Sequence, residues 1–122
     1  MNKKIVISIF CLILAGCATT PTAQQFAQAD YGLPPTNYQE VVKNYYSETL
    51  LDPYSAQYRW LKEPYIGYFS AFGEFKFGYI VHVGVNAKNR MGGYVGEQQE
   101  ALLIKNNRVI ANIPLSMIKN QP

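Results

Sequence analysis

The sequence predicts an α+β domain, with one N-terminal helix packed on a three- to four-stranded antiparallel sheet. Three observations carry this reading. Apolar side chains recur at helical spacing over residues 37–51. Residues 75–87 alternate apolar and mixed positions with period two. Asn106-Asn107 separates two apolar runs, and asparagine tolerates the positive φ that a two-residue hairpin needs.

Each element has its own signals. Asn37 is placed to cap the helix, with Glu40 at the capping-box spacing. Tyr38, Val41, Val42, Tyr45 and Thr49 form one helical face, and Lys43, Asn44, Ser47 and Glu48 the other. Asp52-Pro53 stops the helix and starts a short turn, with Asp52 as cap and proline at the first helical position. Tyr58 to Leu61 is a first short strand. Lys62 to Glu74, with one proline, two glycines and four aromatics, is too broken for a long strand. Phe75 to Ala87 is the best strand in the chain. Phe75, Phe77, Tyr79, Val81, Val83 and Val85 line one face, and Lys76, Gly78, Ile80, His82, Gly84 and Asn86 the other. A glycine-rich connection over residues 88–93 leads to a strand at 94–105, and Arg108 to Ile113 returns.

The chain before this domain reads as an address and a tether. Met1-Asn2-Lys3-Lys4 is a cationic start, and Ile5 to Leu14 is a run of ten residues, apolar except for Ser8. At about 1.5 Å per residue that run reaches only about half of a hydrocarbon core, so it suits a secretory signal peptide (1–16) and not a membrane span. Leu14-Ala15-Gly16-Cys17 resembles the lipobox of bacterial lipoproteins. The resemblance implies cleavage between Gly16 and Cys17 and a diacylglycerol thioether on Cys17, which makes the lipid bilayer the first partner. The alternative is an ordinary signal peptide, with Cys17 a plain mature residue. Cys11 leaves with the signal, so Cys17 is the sole mature cysteine, and a lipid gives it a purpose that no disulfide can. Ala18 follows where an Asp would retain such a lipoprotein in the inner membrane. The implied location is therefore the outer membrane of a Gram-negative cell with the domain facing the periplasm, or otherwise the cell membrane. Residues 17–36 form the lipidated cysteine and a flexible linker that ends at Pro34-Pro35. The alternative is that Phe26 and Tyr31 dock on the domain.

Composition narrows the chemistry. A length of 122 residues leaves room for one domain, too few for a barrel enzyme or a full dinucleotide-binding fold. There are 11 basic and 8 acidic residues, and the excess nearly vanishes once Lys3 and Lys4 are removed, so nucleic acid is not an expected partner. His82 is the only histidine, and no serine lies in a Gly-x-Ser-x-Gly context. One histidine, no free thiol and scattered carboxylates make no metal set. No cofactor is expected. Gly92-Gly93-Tyr94-Val95-Gly96 is followed by a strand, not by the helix N-terminus a phosphate loop requires.

Two candidate sites remain. Tyr65, Tyr68, Phe69 and Phe72 belong to an aromatic stretch that either forms a binding surface or divides between core and sheet edge. Asn86, Lys88, Asn89, Gly92 and Gly93 make either a structural turn or a recognition loop. Asp52-Pro53-x-Ser55-Ala56-x-Tyr58-Arg59 followed by Val85-Asn86-Ala87-Lys88-Asn89-x-x-Gly92-Gly93-Tyr94-x-Gly96 resembles a pattern in an uncharacterised family of small exported bacterial proteins. Relatives often carry a cysteine in the strand before the second segment, where this chain has Ile80-Val81-His82-Val83-Gly84. The resemblance brings no activity. The sequence reading is a non-enzymatic envelope module that binds another envelope protein or a glycan. Its alternatives are an accessory subunit of a secretion or assembly complex, and a small hydrolase using His82.

Overall fold

The computed structural model describes residues 20–118; the signal peptide, Gly16 and Cys17 of the sequence reading lie outside the described residues. The chain forms helix α1 (Ala23–Gln28), helix α2 (Tyr38–Thr49), and strands β1 (Gln57–Ala71), β2 (Glu74–Asn86), β3 (Gln98–Lys105) and β4 (Arg108–Pro114). Short 3₁₀ turns at Pro53–Ser55 and Leu115–Met117 precede β1 and follow β4. The strands build one antiparallel sheet in the order β1-β2-β3-β4, a meander in which every neighbour in sequence is a neighbour in space. The domain is therefore α+β.

Helix α2 begins where Asn37 accepts a hydrogen bond from the Glu40 N–H at 3.3 Å, which satisfies one of the donors a helix start leaves open. Its buried centre is Val42, on the expected stripe, and Tyr46, which lies beside it, an i, i+4 pair. Thr49 is exposed, its hydroxyl donating to the Tyr45 carbonyl at 3.2 Å. Val42 and Tyr46 lie on Val81, Val83 and Val85 of β2 and on Leu102 and Ile104 of β3. Trp60 joins this core stacked on Tyr58, with ring centroids 5.7 Å apart.

The reverse face of the sheet has a second core. Phe69, Ile80, Ala101 and Leu103 are buried there under Leu115 and Ile118, which fold back after β4. This explains why the even-numbered face of β2 looked mixed in the sequence: Ile80 is fully buried, while His82 and Asn86 sit at half-buried positions.

Strand β1 departs most from expectation. It is 15 residues long and runs through the segment that looked too broken for a strand. Pairing with β2 from Gln57↔Asn86 to Ala71↔Glu74 overrides the local turn signals. The proline is absorbed in an irregularity: the register shifts between Trp60 and Lys62 and again between Lys62 and Tyr65, and Pro64 lies in the second shift on an edge strand. Gly67 faces Gly78 across the ladder. The turn joining β1 to β2 is Phe72-Gly73, both with positive φ (52° and 78°). Asn106 and Asn107 have φ of 51° and 60°, the geometry their hairpin turn requires. Strand β3 starts at Gln98 and not at Tyr94, because Gly96 at φ 97° turns the chain first and Tyr94 makes only an isolated bridge to Lys88.

Of the two readings of the N-terminal stretch, docking describes residues 22–33. Thr22 caps α1 in a reciprocal capping box with Gln25. The Phe26 ring lies edge-on to Tyr68 and Phe77, at 6.3 and 6.4 Å, and Tyr31 lies edge-on to Phe77 at 5.8 Å. Asp30 pairs with Lys105 at 3.5 Å, and the Leu33 N–H donates to the Asn106 side chain. The Gly32 N–H, and then Lys105, hold the Asp30 carboxyl below its usual range. Within the expected linker, residues 22–33 are thereby held against the domain.

Candidate binding groove

The residues of the two-part motif meet at the end of the sheet opposite the β1–β2 turn. Ser55 is the hinge between them. Its hydroxyl donates to the Asp52 carbonyl at 2.7 Å and accepts the Lys88 N–H at 2.8 Å. Its carbonyl accepts the Tyr94 hydroxyl at 2.9 Å. The connecting loop is closed by its own asparagines. The Asn89 side-chain oxygen accepts the N–H groups of Met91 (3.0 Å) and Gly93 (3.2 Å). The Asn89 N–H donates to the Gly93 carbonyl at 2.9 Å. Asn86 accepts the Gly96 N–H at 3.1 Å. Gly92, at φ 79°, supplies the left-handed step that lets the loop return. The Lys88 ammonium lies 5.5 Å from the centre of the Tyr94 ring. Asn86, Lys88, Asn89, Gly92 and Gly93 are thus brought together in one turn network.

The far end of the loop is tied by Arg59 and Glu97. The guanidinium donates twice to the carboxylate, at 2.9 and 2.5 Å, a fork-on-fork pair. Gly84 lies beneath: a Cβ there would stand 2.5 Å from the Glu97 carboxylate. The pair raises the Arg59 pKa and lowers that of Glu97.

Between this loop and the end of α2 lies a groove of about 280 Å³. Leu50, Leu51, Val85, Ala87 and Val95 give it apolar walls, with Lys88 and Gln98 among its lining residues. Leu51 and Val95 are exposed, at 70% and 57%. Tyr46 and Glu100 also line it, and the Tyr46 hydroxyl donates to the Glu100 carboxylate. The Asn112 amide donates to the same carboxylate oxygen at 3.1 Å. Burial first, and then the Glu100 carboxylate, push the Tyr46 phenol far above its ordinary range, so it stays a donor at any physiological pH.

The aromatic candidates do not converge. Tyr65 and Phe69 contribute to the reverse-face core, while Tyr68 is buried among Phe26, Phe75 and Phe77 on the helix side. Phe72 stands alone at the hairpin tip, fully exposed. Alternation along a strand explains the split, since residues 65 and 69 share a face that residue 68 cannot.

His82 is half-buried on the reverse face, its Nε2 2.7 Å from the Tyr65 hydroxyl. The Lys62 ammonium lies 4.4 Å from the centre of the Tyr65 ring. Burial, and then Lys62, lower the His82 pKa from its ordinary 6.5. The fold therefore favours the neutral imidazole. As pH falls from about 6.5 toward the lower folded value, the unfolded chain takes up the proton first, and stability is lost across that window before levelling off. The urea midpoint should decline over that interval in the parent chain and stay flat in His82→Gln; equal declines in both would remove His82 as the cause. Among the described residues, no group of three His, Cys, Asp or Glu side chains gathers at metal-binding distance, and no helix is long and apolar enough to cross a membrane.

Sequence reading missed the groove because its walls come from three separate stretches. The available signal was Leu50-Leu51, an apolar pair placed just before the Asp52-Pro53 helix stop and off the expected helical face. Comparison with known proteins finds no matching family model, curated protein or solved structure.

Proposed function

We propose that this chain is a lipid-anchored bacterial envelope protein whose domain is a non-enzymatic binding module, taking an apolar segment of another envelope protein in the groove beside Leu51 and Val95. The observation that carries the reading is an open apolar groove whose outer wall is held by a polar network. Exposed leucine and valine in a concave site lose unfavourable hydration when a partner covers them. The anchor rests on Leu14-Ala15-Gly16-Cys17. Location at the outer membrane, facing the periplasm, rests on Ala18. Two or three acyl chains give a stable hold where a single one is marginal.

The alternative of an accessory subunit that pairs through a free strand edge is less well supported. Of the two edge strands, β1 carries Pro64 and two register shifts against β2, which leaves β4, with a single shift against β3, as the more regular edge. The hydrolase alternative rests on His82, whose Nε2 is already engaged by Tyr65.

In intact cells, a photo-crosslinking side chain at Leu51 should capture one dominant envelope protein, and Val95→Asp should abolish that capture while leaving the fold intact by circular dichroism. An unchanged crosslink in Val95→Asp would overturn the groove assignment, and retention on isolated glycan in its place would redirect it to a sugar. Cys17→Ser should abolish palmitate labelling; continued labelling would overturn the anchor.

A further inference from the structure

The β1–β2 hairpin projects beyond the rest of the sheet. Pairing of β2 with β3 ends at Tyr79↔Ile104, whereas β1 and β2 stay paired to Ala71↔Glu74. At about 3.3 Å per residue the overhang is about 15 Å long. Its tip is Phe72, fully exposed and left-handed at φ 52°. A side chain with a Cβ is disfavoured in that conformation, and turns of this kind ordinarily take asparagine or glycine. A Cβ added at the neighbouring Gly73 would meet nothing within 4 Å, so the tip stands clear of the domain. In water, Phe72 has both an unfavourable backbone and an uncovered ring.

The N-terminal chain is delivered to this same overhang. Phe26 rests on Tyr68 and Phe77, inside the projecting hairpin. Thr22 lies one helical turn before Phe26, and Cys17 is five positions before it, a reach of about 18 Å at full extension. From Phe77 the last pair before the tip is about 10 Å away and the groove residue Val85 about 26 Å, in the opposite direction along β2. The start of the described chain thus lies nearer the tip than the groove.

Resting on the anchor reading above, we infer that Phe72 enters the lipid surface of the leaflet that receives the Cys17 acyl chains, a second apolar contact that orients the domain with its groove pointing away from the membrane. A single phenylalanine binds membranes too weakly to hold a free protein there. Tethering makes its insertion effectively intramolecular, so a small gain suffices. Glu74 and Lys76 beside the tip offset each other in charge, so the contact does not require anionic lipid.

The test uses the full mature lipoprotein in phosphatidylcholine vesicles. Phe72→Cys supplies the only free thiol for an environment-sensitive fluorophore once Cys17 is acylated, and Tyr54→Cys, fully exposed near the groove, supplies the control. The label on Phe72→Cys should shift to the blue, brighten several-fold and be quenched by brominated acyl chains, while the label on Tyr54→Cys stays aqueous. An aqueous label on Phe72→Cys, with Cys17 shown by mass spectrometry to be acylated, would overturn the tip contact and leave the anchor standing. A bare Cys17 thiol would overturn both. Immersion of both labels would overturn the orientation. Because a label alters the tip, Phe72→Asn provides a second measurement. It suits the turn and keeps the fold. Energy transfer from the Tyr54→Cys label to lipid acceptors should rise about twofold in Phe72→Asn as the domain tumbles on its tether; unchanged transfer would count against the inference.

Discussion

Leu102→Ala should lower the unfolding free energy by about 3 kcal/mol, measured by urea titration of Trp60 fluorescence. Leu102 lies on an inner strand, has no exposed surface, and packs with Val42 and Tyr46 from α2 and with Val81 and Val83 from β2. Truncation removes the transfer energy of its methyl groups and leaves a cavity between sheet and helix. That cavity cannot readily collapse. β3 is paired on both sides, and Tyr46 holds α2 to the sheet through Glu100. Trp60 reports on the same cluster, stacked on Tyr58 and edge-on to Tyr38 at 5.6 Å. A loss below about 1 kcal/mol would mean that α2 is not seated on the sheet as described.

Gly78→Ala should cost about 2–3 kcal/mol, the range for overfilling a packed site, whereas Gly84→Ala should cost far less although both glycines are buried in β2. A Cβ at either position meets an atom at 2.5 Å, and the identity of that atom decides the outcome. At Gly78 it is the Ile104 carbonyl oxygen, with the carbonyl carbon at 3.2 Å. Backbone in a paired strand can yield only by displacing β3, next to the register shift between Leu103 and Ile104. At Gly84 it is the Glu97 carboxylate, the mobile end of a side chain. Glu97 can swing aside by giving up Arg59, which slackens the loop without disturbing the sheet. Thermal unfolding of the two variants side by side checks the contrast, and equal losses would refute it.

Local periodicity carried the elements whose partners lie close in sequence. α2, β2 and the Asn106-Asn107 turn were all legible, because cap, alternation and turn chemistry are written within a few residues. β1 was not, since its Pro64 and glycines read as breakers until β2 is laid beside it. The docking of α1 depends on Phe26 and Tyr31 finding Phe77, about fifty residues away. The candidate site was half visible. Both motif segments stood out, but nothing in their spacing showed that Ser55 joins them through two hydrogen bonds to the second segment. Of the two readings of the aromatic stretch, division describes Tyr68 and Phe69, because strand parity sends them to opposite faces.

The irregular course of β1 has a consequence for contacts between copies of the chain. An unbroken row of unpaired peptide groups invites neighbours to zip together into fibres. Here Pro64 offers no N–H, and the kinks on either side of Lys62 throw the remaining groups out of line. The blemish in the strand thus works as a fender along this edge, opposing strand-to-strand pairing of copies through β1.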